Sequence, residues 1–387
     1  MLQSETKVPR FARDDKIKNM INKMIVSNLV HRPVRSLISI SAIALEVTLI
    51  LLIVSFFYGQ LNGSKESQMG VGADLMVQPP SSSALIGVTG APMPVKLGDV
   101  LRKLPHVTVA APVIWELTTK PTLEIIYGID LASYNSIPPT FNYRSGGPFQ
   151  GAYDVIVDDF FAGMKKVKVG DSIEILNHRF RVCGIVAHGK GARKFLPLAT
   201  MQDLIGAENK ASVFYVKADD PANTDLVVNE IKAVPGMENY AARSMQEYLS
   251  MMSADNLPGF QTAIRIVIAI SVIIGFMVIF QSMYTAVMER TREIGILKSM
   301  GASKAFIVNV VLRETALLAI LGIIAGIVIS LITRRIVLIE RPVLRLFWSS
   351  EWVIRTTVIA IVGALGGALY PAYKAAQKDP IDALAYE

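Results

Sequence analysis

The sequence predicts a membrane protein of four transmembrane helices, with a large α/β domain outside the membrane between the first and second helices. Three observations predict it. Hydrophobic residues make up 52% of the 387 residues and charged residues only 18%, against about 25% charged in a soluble domain. Mean hydropathy is +0.42. Four stretches are apolar over the about 20 residues a helix needs to cross a bilayer, and the long segment between the first two reads as mixed strands and helices.

The elements follow in order. Residues 1–36 form a basic leader with Lys7, Arg10, Arg13, Lys16, Lys18, Lys23, Arg32 and Arg35. Such an excess of Lys and Arg marks the cytoplasmic side. Within it Ile17, Met20, Ile21, Met24, Ile25 and Leu29 recur at helical spacing, which predicts an amphipathic helix on the inner leaflet. Pro33 ends or kinks that helix. The first span is 37–58. Its long leader and long apolar core differ from a cleavable signal peptide. Residues 59–265 form the outer domain. Spans follow at 266–287, 316–333 and 356–373, separated by a cytoplasmic segment at 288–315 and an outer loop at 334–355. The tail 374–387 returns to the cytoplasm.

The outer loop departs from the charge rule, because it holds Arg334, Arg335, Arg341, Arg345 and Arg355. Two readings stand: the other loops dominate orientation, or these arginines meet anionic headgroups. Trp348 and Trp352 fit an interfacial aromatic belt.

In the outer domain, strands are predicted at Asp74–Val77, Val107–Val113, Leu123–Tyr127, Asp154–Val157, Ser172–Ile175, Arg179–Val186 and Ser212–Val216. Helices are predicted at Asp159–Val167, Thr200–Gly206 and Asn223–Ala233. Pro79–Pro94 is rich in Pro, Ser and Gly and reads as a long loop, either surface or partner-contacting.

Several function classes drop out. Cys183 is the one cysteine, which excludes an intrachain disulfide and a cysteine-based zinc site. The four histidines show no metal-ligand spacing, so no metal is expected. The net charge of +7 comes without a basic patch interleaved with aromatics, so no nucleic-acid partner is expected. Gly184–Lys190 satisfies GxxxxGK, but Gly191 stands where a P-loop needs Ser or Thr for magnesium. It reads as a glycine-rich turn, and no cofactor is expected on this chain. No GxSxG or HExxH occurs, so no catalytic residue is nominated.

Three membrane features carry the remaining signal. Glu46 sits near the middle of the first span, where a carboxylate costs several kcal/mol and should face a partner or a cavity. It is either part of a coupling or substrate path or a hydrogen-bonded structural residue. Gly322, Gly326 and Ser330 in the third span, and Gly363 and Gly367 in the fourth, have the small-xxx-small spacing of close helix packing. That seam lies either between protomers or within one. The cytoplasmic segment reads MERTREIGILKSMGASKAFI. Glu289, Arg290, Arg292 and Glu293 are expected to continue the second span as a helix. Ile294, Ile296, Leu297 and Met300 supply an apolar surface, Gly301 suits a helix end and Ser303 an N-cap. This is either a solvated connector or a docking knob.

The segment ERTREIGILKSMGAS, Glu289–Ser303, resembles the coupling segment of FtsX-like ABC transporter permeases, the group that includes macrolide-exporter and lipoprotein-release subunits. PAYKAAQKDPIDALAYE, Pro371–Glu387, resembles that family's C-terminus through Pro371, Ala372, Ala375, Pro380, Ala383 and Leu384. VIVDDFFAGMKKVKVGDSIEILNHRFRVCGIVAHG, Val155–Gly189, is similar to part of its periplasmic domain. Together these resemblances cover nearly all of the chain from about Asn28.

The resemblance implies a non-enzymatic permease subunit of the bacterial inner membrane, with both termini cytoplasmic. It implies two paired protomers, identical or different, bound to a cytoplasmic ABC ATPase dimer that carries the ATP and magnesium. The docking contacts would be Glu289, Arg290, Arg292, Glu293, Gly295, Lys298 and Gly301. Ile296, Leu297 and Met300 could supply a buried anchor. The ATPase cycle would reach the outer domain by mechanotransmission, with the second span as the stiff lever. The cargo would be lipophilic: lipid, lipoprotein, or an amphipathic drug or peptide. Further partners would be membrane lipids and a periplasmic adaptor or cargo protein. The alternative is an FtsX-type regulator that activates periplasmic cell-wall hydrolases.

Overall fold

The computed structural model describes residues 33–80, 82, 92–118, 124–257, 259–340 and 344–378. The expected leader helix, most of the Pro79–Pro94 loop, Leu123, Arg341, and the C-terminal Pro380, Ala383 and Leu384 lie outside the described residues. The chain divides into two compact units.

The first unit is helical and comprises, of the described residues, 33–56, 262–336 and 348–378. Helix α1 spans Pro33–Met69. Four helices among the described residues are apolar and long enough to cross a membrane. The 37 residues of α1 reach about 55 Å at 1.5 Å per residue, against a hydrocarbon core of about 30 Å. The helix therefore does not stop at Tyr58, where the apolar run ends, but continues as a polar helix for three more turns.

The unit's core joins Ile43, Val47 and Leu51 of α1 to residues of the three later long helices, including Met283, Leu318 and Ala364. A Cβ on Gly322 would meet Ile43, and one on Gly326 would meet the Ala44 carbonyl and Val47. The small-residue seam of the third span thus closes within one protomer, against the first span.

The second unit comprises 57–261 and 337–347. Its elements are β1 (Leu75–Gln78), β2 (Met93–Pro94), α2 (Leu97–Leu101), β3 (Val107–Thr118), β4 (Glu124–Ile129), α3 (Leu131–Asn135), β5 (Tyr143–Gly146), β6 (Asp154–Asp158), α4 (Asp159–Lys165), β7 (Ser172–Ile175), β8 (His178–Val186), β9 (Lys194–Pro197), α5 (Leu198–Leu204), β10 (Lys210–Ala211), β11 (Val213–Ala218), α6 (Thr224–Ala233), β12 (Ala241–Ser244) and α7 (Met245–Met251). Among the described residues ten strands form one sheet, nine in the order β12-β1-β11-β3-β4-β9-β6-β8-β5 and the tenth, β7, paired to β8. The β4–β9 and β6–β8 pairs are parallel and the rest antiparallel.

Alternation along β3 explains the layering. Ala111, Val113 and Trp115 point into an aromatic core with Tyr127, Tyr134, Phe195 and Tyr215. Ala110 faces α6 with Leu75 and Val227, and Ile114 faces α4 and α5 with Phe161 and Met201. Strands β5, β9 and β12 escape the sequence reading because YRSG, KFLP and AARS carry neither a β-branched residue nor an alternating pattern.

Candidate functional site: the coupling segment

Helix α8 spans Phe260–Glu289, α9 Thr291–Ser299, α10 Lys304–Glu340 and α11 Ser350–Gln377. The second span is therefore not continued by Arg292 and Glu293. The helix breaks at Arg290, whose φ of −108° and ψ of 19° are non-helical, and those residues open a separate short helix. Arg334 and Arg335 lie inside α10 and Arg355 inside α11, so most of the expected outer loop is helical as well.

Helix α9 ends as its sequence suggests. Gly301 has a positive φ of 93°, which an L side chain adopts only with strain. Ser303 then caps α10, its Oγ accepting from the Phe306 amide at 3.2 Å. The inner face of α9 packs through Ile294 and Leu297 onto Val287, Ile307 and the small residues Ala375 and Ala376 of α11. Helix α11 runs through Pro371. The short side chains of Ala375 and Ala376 let α9 pack against it. Beside this contact is an apolar cleft of about 320 Å³, lined by Met283, Val287, Ile307 and Val311 and edged by Arg290, Glu293 and Glu314.

The ten residues expected to dock a partner separate into two sets. Arg290 is only 11% exposed and pairs with Glu314 at 2.9 Å. Lys298 donates to the main-chain carbonyls of Ala376 and Lys378, neutralising the open C-terminus of α11. Gly295 is buried and Leu297 half-buried. These four hold α9 in place. Glu289, Arg292, Glu293, Ile296, Met300 and Gly301 are exposed and form the outward surface, with Met300 71% exposed.

Sequence reading missed Glu314. Its carboxylate is buried and accepts from both Arg290 and Arg35, each at 2.9 Å, while Arg35 also lies 3.7 Å from Glu289. This cluster ties the start of α1 to the break after α8 and to α10. The available signal was a carboxylate two residues before an uncharged 18-residue run.

Other expected residues fall elsewhere. Glu46 is 6% exposed and lies directly on Gly275, where an added Cβ would sit 1.9 Å from its Oε2. Its Oε1 has no hydrogen-bond partner among the described residues. A Cβ on Gly367 would meet the Phe276 carbonyl at 2.8 Å, whereas one on Gly363 would find ordinary space against Val272. Ser330 is fully buried.

Lys190 is buried too, its Nζ donating to the carbonyls of Val71 and Ile137, so the GxxxxGK stretch is a structural turn. Burial pulls the Lys190 ammonium down to about 8. His106 pairs with Asp219 and His188 with Asp159. No group of three or more His, Cys, Asp or Glu is placed to hold a metal among the described residues.

Comparison with known proteins agrees with this architecture. Residues 265–380 match the FtsX-like permease C-terminal model, and residues 36–234 match the MacB-like periplasmic core domain. The chain is 25% identical over 235 residues to an ABC transporter permease of Methanocaldococcus jannaschii, covering 57% of this chain and 58% of that one. It is 25% identical over 394 residues to the macrolide export ATP-binding/permease protein MacB of Nitrobacter winogradskyi, covering 91% of this chain and 58% of that protein. It thus spans less than two-thirds of the length of these relatives. Among solved structures it is similar to the periplasmic region of MacB from Actinobacillus actinomycetemcomitans, with a TM-score of 0.37 and 16% identity over 48% of this chain and 94% of that one. With one model matching half of the chain and a second continuing across 265–380, this protein belongs to the FtsX-like ABC transporter permeases, with a MacB-like periplasmic core domain.

Proposed function

We propose that this protein is the permease subunit through which a separate ABC ATPase drives export or extraction of a lipophilic cargo: a lipid, a lipoprotein, or an amphipathic drug or peptide. The single observation that carries the reading is the division of the coupling segment. Arg290, Gly295, Leu297 and Lys298 fasten α9 to α8, α10 and α11, while Glu289, Arg292, Glu293, Ile296, Met300 and Gly301 face outward. A firmly seated helix with an exposed mixed face is what a docking partner can push without deforming. Its apolar centre and charged surround follow the anatomy of protein interfaces.

The ATPase binds ATP and magnesium, and this chain needs no cofactor. Two protomers pair in the bacterial inner membrane with both termini cytoplasmic. The outer domain receives the cargo or an adaptor protein and moves with the ATPase cycle, so cargo need not cross a channel. The relatives described above are named as permeases and exporters, which favours this reading over the hydrolase-activating regulator.

The test is reconstitution with the candidate ATPase in lipid, followed by ATP hydrolysis against panels of lipids, lipoproteins and drugs. Stimulation by one class supports the exporter and identifies its cargo. Failure of the native chain to bind the ATPase would overturn the proposal.

A further inference from the structure

The two chain entries into the outer domain are built differently. Helix α1 enters as an interlocked element. Near its end, Gln68 is buried and donates through Nε2 to the Tyr127 hydroxyl at 3.0 Å, while its Oε1 accepts from Tyr215 at 2.9 Å. The two tyrosine hydroxyls are 3.1 Å apart. The ring therefore has one consistent sense: Gln68 donates to Tyr127, Tyr127 to Tyr215, and Tyr215 to Gln68. Each hydroxyl gives one hydrogen bond and accepts one in a buried site.

Backbone contacts continue the interlock. The Gly191 amide donates to the Ser67 carbonyl at 2.9 Å. A Cβ on Gly70 would fall 1.8 Å from the Gly189 carbonyl oxygen, and one on Gly72 1.7 Å from that of Pro138. The Lys190 ammonium caps Val71 just past the helix end. On its flank, Arg345 pairs with Glu66 and sits where side chains at Gly59 and Gly63 would otherwise be, with its guanidinium 5.9 Å from the Phe160 ring centroid.

The other entry, Met252–Gln261, is held by apolar packing, with Met252 against the aromatic core and the Phe260 ring edge-on to Phe57 and Tyr58 at 5.5 and 5.7 Å, and not by a buried hydrogen-bonded ring. Among the described residues its hydrogen bonds are local. Ser253, Asn256, Leu257 and Phe260 donate to carbonyls no more than six residues away, and Gln261 donates to Asp255.

We infer that the end of α1 is the rigid joint through which movement enters the outer domain. Gln68 is its key positioning residue and Arg345 its brace, and the locally bonded segment 252–259 ahead of α8 is the compliant one. This reverses the expectation that the second span is the stiff lever. It also assigns Arg345 of the Arg-rich outer loop a contact inside the protein. The inference rests on the proposed coupling to an ATPase.

Hydrogen exchange on the full chain in nanodiscs, first alone and then with the partner ATPase and ATP plus vanadate, separates the two ideas. Without nucleotide, amides across 66–72 should exchange at least about tenfold more slowly than those across 252–259, since exchange reads local opening. Equal exchange overturns the joint whatever the ATPase does. Gln68→Leu should raise exchange at 66–72 about tenfold and leave β6 and β8 unchanged. It should keep ATP hydrolysis within about twofold, yet reduce the ATP-driven change in the outer sheet at least threefold. Tyr215→Phe, which removes one hydroxyl, should act in the same direction more weakly. Two glycines inserted between Ser253 and Ala254 should leave the ATP-driven change intact. If that insertion abolishes the change and Gln68→Leu does not, the inference is wrong. A native complex that hydrolyses ATP with no change in the outer sheet would instead overturn the proposed function.

Discussion

Glu314 is the residue whose removal should most disturb the coupling segment. It accepts from Arg290 and Arg35 at 2.9 Å each, and the three side chains are 5%, 11% and 13% exposed. At an effective dielectric of about 20, each contact represents a gross attraction of about 6 kcal/mol, most of it offset by desolvation. Replacing the Glu314 carboxylate by a neutral amide removes the buried counter-charge that Arg290 and Arg35 share, which costs about 3–5 kcal/mol. Glu314→Gln should therefore speed amide exchange across Ile294–Ser299 by at least about 100-fold, the equivalent of roughly 3 kcal/mol in local opening. Arg290→Met should act similarly but less strongly, because Glu314 keeps Arg35. In the double variant the effects should fall short of their sum by at least about 1 kcal/mol, as for residues in one network. Exchange across β6 and β8 serves as the internal control. Additive effects, or an unchanged α9, would refute the view that Arg290 works inside the protein.

Three further outcomes are expected. Arg292→Glu should abolish co-purification of the ATPase without altering exchange in α9, because Arg292 is exposed, whereas Arg290→Met should alter both; normal binding by Arg292→Glu would remove that residue from the interface. Gly275→Ala should destabilise the helical unit by about 1–3 kcal/mol through overpacking against Glu46, and adding Glu46→Ala should restore most of the loss, as read by thermal unfolding in nanodiscs; no rescue would mean that the clash is relieved elsewhere. Burial holds the Asp158 carboxyl up at about 6, from 3.8, so its favourable contribution is complete below about pH 4 and is lost as pH rises through 6, a cost of up to about 3 kcal/mol. Asp158→Asn keeps a cap for the Phe161 amide and should raise the full chain's unfolding midpoint at pH 7 but not at pH 4; an equal shift at both would contradict the linkage.

Much of the architecture was legible in local patterns. Span positions follow from runs of apolar residues, because the hydrocarbon core demands continuous hydrophobicity. Strands such as Ser172–Ile175 announce themselves through β-branched and alternating residues. Helix lengths were less legible. Polar residues after Tyr58 signal water, but water does not unwind a helix whose end is held by Gln68 and Gly191.

The candidate site divides along the same line. By itself the sequence determined that a short two-faced element lies between two spans, with charges and apolar residues at given positions, since periodicity is a property of neighbours along the chain. It also marked Gly301 and Ser303 as the stop and start around the turn. Only the tertiary structure decided which of those charges are spent. Arg290 and Arg292 are indistinguishable in the sequence, yet the first meets a carboxylate 24 residues away and the second does not turn inward. Lys298 finds carbonyls 78 and 80 residues away, and Gln68 finds a hydroxyl pair from strands 59 and 147 residues distant. Such contacts depend on which surfaces the fold brings together, and desolvation then makes them strong, so the same residue type becomes a brace in one place and an exposed surface group in the next.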